Sequence, residues 1–233
     1  GEPLAFINDG VLQHMRVGAD GGIGVKYMSR EESKVIGVLG SGGMARTHMD
    51  AFMCVRPGIK KMQVFSPTPA NREAFGQEMR DKYGLEVVVH DDPRDIYKGA
   101  DIVAGLTDSA VPVLNGDLIE PGTHVVNVGA GGKPDAATIA KIDVYLRFGQ
   151  ATAPWGFPEL DVADEYITYA AQPKFNADFK LKKAGKRAHG AMLPDRMITL
   201  KDIAAGTNSG RTESKQITYS ERGNLQGAQF WAV

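Results

Sequence analysis

Through about residue 150, short apolar runs alternate with amphipathic stretches. Val35-Ile36-Gly37-Val38-Leu39 is apolar with no polar alternation, the pattern of a strand buried on both faces of a parallel sheet. It runs into a glycine-rich turn, and a helix is predicted over 43–55, ended by Pro57-Gly58. Met62 to Phe65 reads as a second strand. A second helix over 69–82 opens at Pro69 and carries Ala74, Phe75 and Met79 at helical spacing. Further strands are predicted at 86–89, 101–106 and 124–128, with a short helix near 93–98 and a sixth strand at 143–147. Regular strand–helix alternation argues an α/β fold, an open, doubly wound parallel sheet with right-handed crossovers.

The flanks are less regular. Residues 4–7 read as a short strand and 8–10 as a turn. Residues 11–30 carry loosely helical apolar positions, but Gly18, Gly21, Gly22 and Gly24 weaken a helix. A helix so rich in glycine packs closely against another backbone. Beyond 150 the alternation stops. Residues 151–172 show no period, and 174–187 carry six Lys/Arg against one Asp, the composition of a solvated basic face. Strand-like runs return at 197–200 and 216–219, separated by a Gly/Asn/Ser loop.

Composition changes the picture only by exclusion. In 233 residues, 27 Lys+Arg balance 28 Asp+Glu and hydrophobic residues make up 42%, as in an ordinary globular protein. Near-neutral charge gives no reason to expect nucleic acid or a membrane surface as partner. No run approaches the length of a membrane span and no secretory leader opens the chain, so a cytoplasmic location is expected. Cys54 is the single cysteine, which excludes an intrachain disulfide. His14, His48, His90, His124 and His189 show no metal-ligand spacing, and no metal is expected.

Candidate chemistry concentrates after the first strand. Gly40-Ser41-Gly42-Gly43-Met44-Ala45 is a G-x-G-x-x-A sequence. The first glycine permits the turn, the second lets a pyrophosphate approach the backbone, and the small third residue lets helix and strand pack closely. The anion would then sit at a helix N-terminus, where free N–H groups and the helix dipole favour it. The strand before and the helix after give the short motif its weight. The alternative is a merely structural turn.

Cofactor choice is read after the second strand. An NAD site places a carboxylate there, but this chain has Phe65-Ser66-Pro67-Thr68. Ser66 and Thr68 offer hydroxyls to a 2′-phosphate and Arg72 a guanidinium, so NADP(H) is favoured over NAD(H). The alternative is that this segment only caps the next helix. Leu106-Thr107-Asp108-Ser109 after the fourth strand, and Val128-Gly129-Ala130-Gly131-Gly132 after the fifth, lie at the sheet edge where ligands bind, with small residues suited to a flat ring. Routine loop chemistry explains them equally well.

In order along the chain, VIGVLGSGGMA (35–45), ADIVAGLT (100–107), PGTHV (121–125), VGA (128–130) and ITLKDIAAGTNSGRT (198–212) resemble the ornithine cyclodeaminase/mu-crystallin family. The likeness covers nearly the whole chain. It implies binding of NAD(H) or NADP(H), a small amino- or imino-acid substrate, hydride transfer at the carbon bearing nitrogen, and a homodimer. It also implies that Arg16 clamps the substrate carboxylate, a task suited to its planar fork. The alternative for Arg16 is an ion-paired helix residue.

Three departures from that family qualify the expectation. The chain reads as truncated at its N-terminus, and at its C-terminus too, so part of the substrate lobe is expected to be missing. Gly131 stands where cyclodeaminases carry the Asp used in proton and ammonia steps, with Asp135 four residues on; glycine performs no acid–base chemistry, so a ketimine reductase or amino-acid dehydrogenase fits better than ornithine cyclisation. Val17 replaces the Thr that usually follows the substrate Arg. The proton donor stays unassigned, and a nucleotide-binding protein without turnover is the alternative function. The expected division is residues 1–34 as a remnant of a second, incomplete substrate and dimerisation lobe, 35–150 as a Rossmann-like dinucleotide-binding domain, and 151–233 as a return segment to the second lobe.

Overall fold

A computed structural model describes residues 10–107, 109, 113–128, 136–147 and 197–221. The strand expected at 4–7, the basic stretch 174–187, and Gly129, Gly131 and Asp135 lie outside the described residues.

The chain opens with α1 (Gly10–Met28), then β1 (Val35–Leu39), α2 (Gly43–Val55), β2 (Lys61–Phe65), α3 (Pro69–Tyr83) and β3 (Glu86–Val89). A 3-10 turn at Pro93–Tyr97 leads to β4 (Ile102–Gly105), and another at Gly116–Leu118 to β5 (His124–Asn127). The helix α4 (Ala136–Lys141) and β6 (Val144–Arg147) follow; then β7 (Met197–Thr199), α5 (Leu200–Ala204) and β8 (Thr218–Glu221). The strands form one eight-stranded sheet in the order β3-β2-β1-β4-β5-β8-β6-β7. Every pairing is parallel, with Leu39 beside Phe65 and Gly105, and Gly105 beside Asn127.

Strand periodicity divides the core between two faces. Ile36, Val38, Met62, Val64, Ile102 and Val126 pack with Met49, Phe52, Phe75 and Met79 of α2 and α3. On the opposite face Leu39, Val103 and Val125 pack with Ile96, Leu114 and Ile142. Both faces are covered, as a doubly wound sheet requires.

The division expected near residue 150 is corrected by the sheet order. β8 pairs with β5 on one side and β6 on the other, so the described C-terminal segment completes the dinucleotide-type sheet. Residues 10–28, assigned by sequence to the second lobe, pack along α2 and the sheet. Physically, β5 and β6 each present an unpaired edge that only an inserted strand satisfies. A further difference is α5, where a Gly/Asn/Ser loop was expected: Thr199 and Asp202 cap its start reciprocally, a Thr-x-x-Asp box lying upstream of the glycines.

α1 forms despite its glycines because the glycines face a neighbour. A Cβ on Gly18 would stand 2.7 Å from the Thr47 carbonyl oxygen, and one on Gly22 2.9 Å from the Ala51 Cβ. Each glycine costs about 1 kcal/mol of helix propensity, and the backbone approach it permits offsets that cost. The C-terminal carbonyls of α1 are satisfied by distant side chains. Arg56 donates to the Lys26 carbonyl at 2.7 Å, and Arg211 to that of Met28 at 2.8 Å. Arg211 also donates to Thr218 Oγ1, which donates in turn to Met28 and faces His124 Nδ1 at 2.9 Å. Burial holds His124 neutral, its pKa lowered to about 3, with the nearby Arg211 charge acting in the same direction. His48, between α1 and α2, is lowered by burial to about 4.

Candidate functional site

A cleft of about 670 Å³ opens at the carboxyl ends of β1, β2, β4 and β5. The fold forces this placement: in an open parallel sheet, connections leaving to opposite faces part at the strand ends. Gly40 to Met44 line it after β1, Ser66 to Thr68 after β2, Leu106, Thr107 and Ser109 after β4, and Val128 after β5.

The glycine loop is built from backbone constraints. Gly40 has φ +121°, and a Cβ there would stand 2.1 Å from the Leu106 carbonyl oxygen. Glycine is therefore required both by conformation and by the approach of the β4 loop. Gly42 is different. A Cβ on it would meet nothing within 4 Å, so it borders open space. Gly42 is also the N-cap of α2 and makes no side-chain capping bond, so the first-turn N–H groups of a thirteen-residue helix have no competing side-chain acceptor at the cap. That cradle fits a diphosphate: a side chain at Gly42 would occupy the space an anion needs, and the helix end supplies donors. Ala45 is fully buried and packs in the core beside β1, filling the small-residue position behind the loop.

Side chains from α2 and α3 hold the loop in shape. Arg46 donates to the Ser41 carbonyl at 2.8 Å and to that of Gly42 at 3.2 Å, while its Nε meets Glu78 at 2.7 Å. Ser41 Oγ and Ser66 Oγ lie 2.8 Å apart, joining the loop to the end of β2.

The β2 end corrects one expectation. Arg72 does not line the cleft. Its side chain is 8% exposed, and the guanidinium donates to the Ser66 carbonyl at 2.9 Å, pairs with Asp91 and lies over the Phe65 ring. Neighbouring positions on a helix point about 100° apart. Asn71, one residue earlier, therefore takes the cleft-facing position while Arg72 turns inward. Arg16 also lies away from the cleft lining, on α1, with Nη1 3.0 Å from Asp20. Thr107 Oγ1 accepts the Ser109 N–H at 3.2 Å.

Sequence reasoning missed His14, Pro67 and Asn71 as cleft residues. Asn71 was legible in principle from helix phase relative to Pro69. His14 was not, because its place depends on how α1 packs against α2. Among the described residues, His14 is the one ionisable side chain lining the cleft.

The family model described as ornithine cyclodeaminase/mu-crystallin matches residues 1–223. An uncharacterised cyclodeaminase of Sinorhizobium fredii is 27% identical over 93% of this chain and 59% of its own length. A Delta(1)-pyrroline-2-carboxylate reductase of Bacillus cereus is 32% identical over 56% of this chain and 39% of its own. The chain thus spans less than two thirds of the length of these curated relatives. Among solved structures, the Thermococcus litoralis Delta(1)-pyrroline-2-carboxylate reductase, in complex with NADH and L-proline, superposes with a TM-score of 0.71 at 26% identity, covering 100% of this chain and 70% of that one. With its glycine loop, its parallel sheet and a match over nearly its whole length, the chain belongs to the ornithine cyclodeaminase/mu-crystallin family.

Proposed function

We propose that the chain carries the dinucleotide-binding part of an NAD(P)H-dependent oxidoreductase acting on a small amino or imino acid. The observation that carries the reading is the open space at Gly42, set at the uncapped N-terminus of α2 inside the cleft. Gly40 to Met44 would hold the diphosphate, Ser66, Thr68 and Asn71 the adenosine ribose, and Thr107 and Val128 the nicotinamide side. Gly129, which follows Val128 in the sequence, is assigned to the nicotinamide side from the sequence alone. The bound nicotinamide would supply hydride chemistry at the carbon bearing nitrogen. Relatives named as reductases of Delta(1)-pyrroline-2-carboxylate, and one bound to NADH and L-proline, support that substrate class.

The preference for NADP(H) over NAD(H) loses its main cation, because Arg72 is spent on Ser66 and Asp91. The β2 end holds neither a carboxylate to select the free ribose nor a free guanidinium to select the 2′-phosphate among its described cleft residues. Two hydroxyls and an amide then leave NADP(H) favoured by less than about tenfold. Arg16 as the carboxylate clamp rests on the family pattern, and in that role it would release Asp20. A homodimer and a cytoplasmic location are proposed on the same footing. The described helices include none long and apolar enough to cross a membrane.

Gly131, at the place of the cyclodeaminase Asp, favours a second reading: dinucleotide binding without turnover. Parallel calorimetric titrations with NADPH and NADH, followed by NADPH consumption with Δ1-pyrroline-2-carboxylate, decide between them. Binding with turnover supports the oxidoreductase, and binding without turnover across a ketimine panel supports the second reading. Absence of binding to either nucleotide overturns both.

A further inference from the structure

We propose that His14 is a side-chain ligand of the cofactor diphosphate, delivered to the glycine loop by α1. The assignment rests on the dinucleotide reading above. It starts from helix packing. Along the α1–α2 contact Gly22 meets Ala51, Gly18 meets Thr47, and His14 meets Gly43. Each step moves by four residues toward the N-terminus on both helices. The two helices therefore run parallel, with one ridge of α1 lying along one ridge of α2. The glycine stripe that lets the backbones approach fixes the position of the next residue in its row. That residue is His14, and it lands on the first residue of α2.

The contact is close. A Cβ on Gly43 would stand 2.5 Å from His14 Cε1 and 2.7 Å from Nδ1. The imidazole thus lies directly against the third glycine of the loop. The same imidazole lines the cleft together with Gly42 and Gly43, the N-terminal end of α2. Its chemistry suits an anion. Imidazole offers an N–H donor in either tautomer and two when protonated. No carboxylate from the described residues lines the cleft to compete for it. Backbone N–H groups supply most of such a cradle; here a side chain from a helix preceding the first strand adds to it. The G-x-G-x-x-A fingerprint carries no trace of this, since its residues are the same whatever stands at position 14.

The test is calorimetric titration of the full chain and of His14→Ala and His14→Gln. The probes are NADH and ADP-ribose, which keeps the diphosphate and drops the nicotinamide. His14→Ala is expected to weaken both about tenfold, and His14→Gln, which keeps a neutral donor, by about threefold. Melting midpoints of the three proteins are expected to coincide. Unchanged binding by His14→Ala, with the parent chain binding normally, overturns the assignment and leaves the dinucleotide reading intact. Weakening confined to NADH also overturns it, placing His14 at the nicotinamide end. A parent chain that binds neither probe overturns the dinucleotide reading and this assignment with it. A loss of binding that tracks a lowered melting midpoint and is not restored by Gln assigns His14 to packing alone, and overturns it too.

Discussion

The two ends of the cleft are built on different principles. At the phosphate end the backbone does the work. Gly40 is fixed by its positive φ and by the Leu106 carbonyl, and Gly42 leaves space beside a helix end. At the ribose end, side chains do the work, and they are partly committed to each other. Ser66 bonds Ser41, and Arg72 is buried against Ser66, Asp91 and Phe65. A backbone site tolerates one residue type at each critical position, whereas a side-chain site depends on which way each group turns. The phosphate end should therefore fail sharply when mutated, and the ribose end gradually.

Gly40→Val sets the upper limit of that contrast. The left-handed φ and the 2.1 Å approach to Leu106 leave no place for a side chain, so the variant is expected to lose more than about 3 kcal/mol of stability together with nucleotide binding. Denaturant melts and titration check both. Gly42→Val separates the two properties. Its φ of −86° suits any residue and its Cβ meets nothing, so stability should fall by only about 1 kcal/mol, the cost of valine at an N-cap, far less than for Gly40→Val. Loss of at least two charge-assisted hydrogen bonds to the diphosphate should weaken binding about a hundredfold. Undiminished binding by Gly42→Val would place the diphosphate elsewhere.

Acid tests the helix pair and strand network behind the phosphate end. His48 and His124 have folded pKa values lowered from 6.5 to about 4 and about 3 by burial. Below pH 6.5 the unfolded chain binds protons that the folded chain refuses. Stability is therefore full above 6.5 and falls as pH drops, by about 1.4 kcal/mol per pH unit for each histidine, until the folded values are reached. His124→Asn should flatten the slope of melts taken from pH 6.5 to 4.5. An unchanged slope would show that His124 is not held neutral.

At the ribose end, Arg72→Ala should cost about 2 kcal/mol of stability by removing a buried guanidinium from the Ser66 carbonyl and Asp91. It should weaken NADPH and NADH equally. A selective loss of NADPH would return Arg72 to the 2′-phosphate. The smallest effect is expected for Ser66→Ala, about 1 kcal/mol from the Ser41 bond, with a few-fold loss of affinity for either nucleotide in parallel titrations.

Legibility in the sequence follows the same line. The run VIGVL, the glycine loop and the alternation through β5 were readable because buried parallel strands and tight turns restrict residue type locally. The direction of Arg72 was not readable, since it depends on which neighbour its helix turn faces. Nor was the insertion of β8 between β5 and β6, because a four-residue strand says nothing of its partner. The glycines of α1 lowered its helical signal when read alone, and they became the reason for its packing once α2 lay beside it.

By itself, the sequence determined the sheet class, the first five strands, the glycine loop and the family pattern, all of which rest on local steric and burial rules. Only the tertiary structure decided that α1 runs parallel to α2 and brings His14 to Gly43, that Arg72 turns inward, and that the described C-terminal strands complete the same sheet. Those outcomes turn on contacts between residues far apart in the chain. Such contacts are chosen by which surfaces fit and which polar groups find partners, and no local pattern of residues encodes that choice.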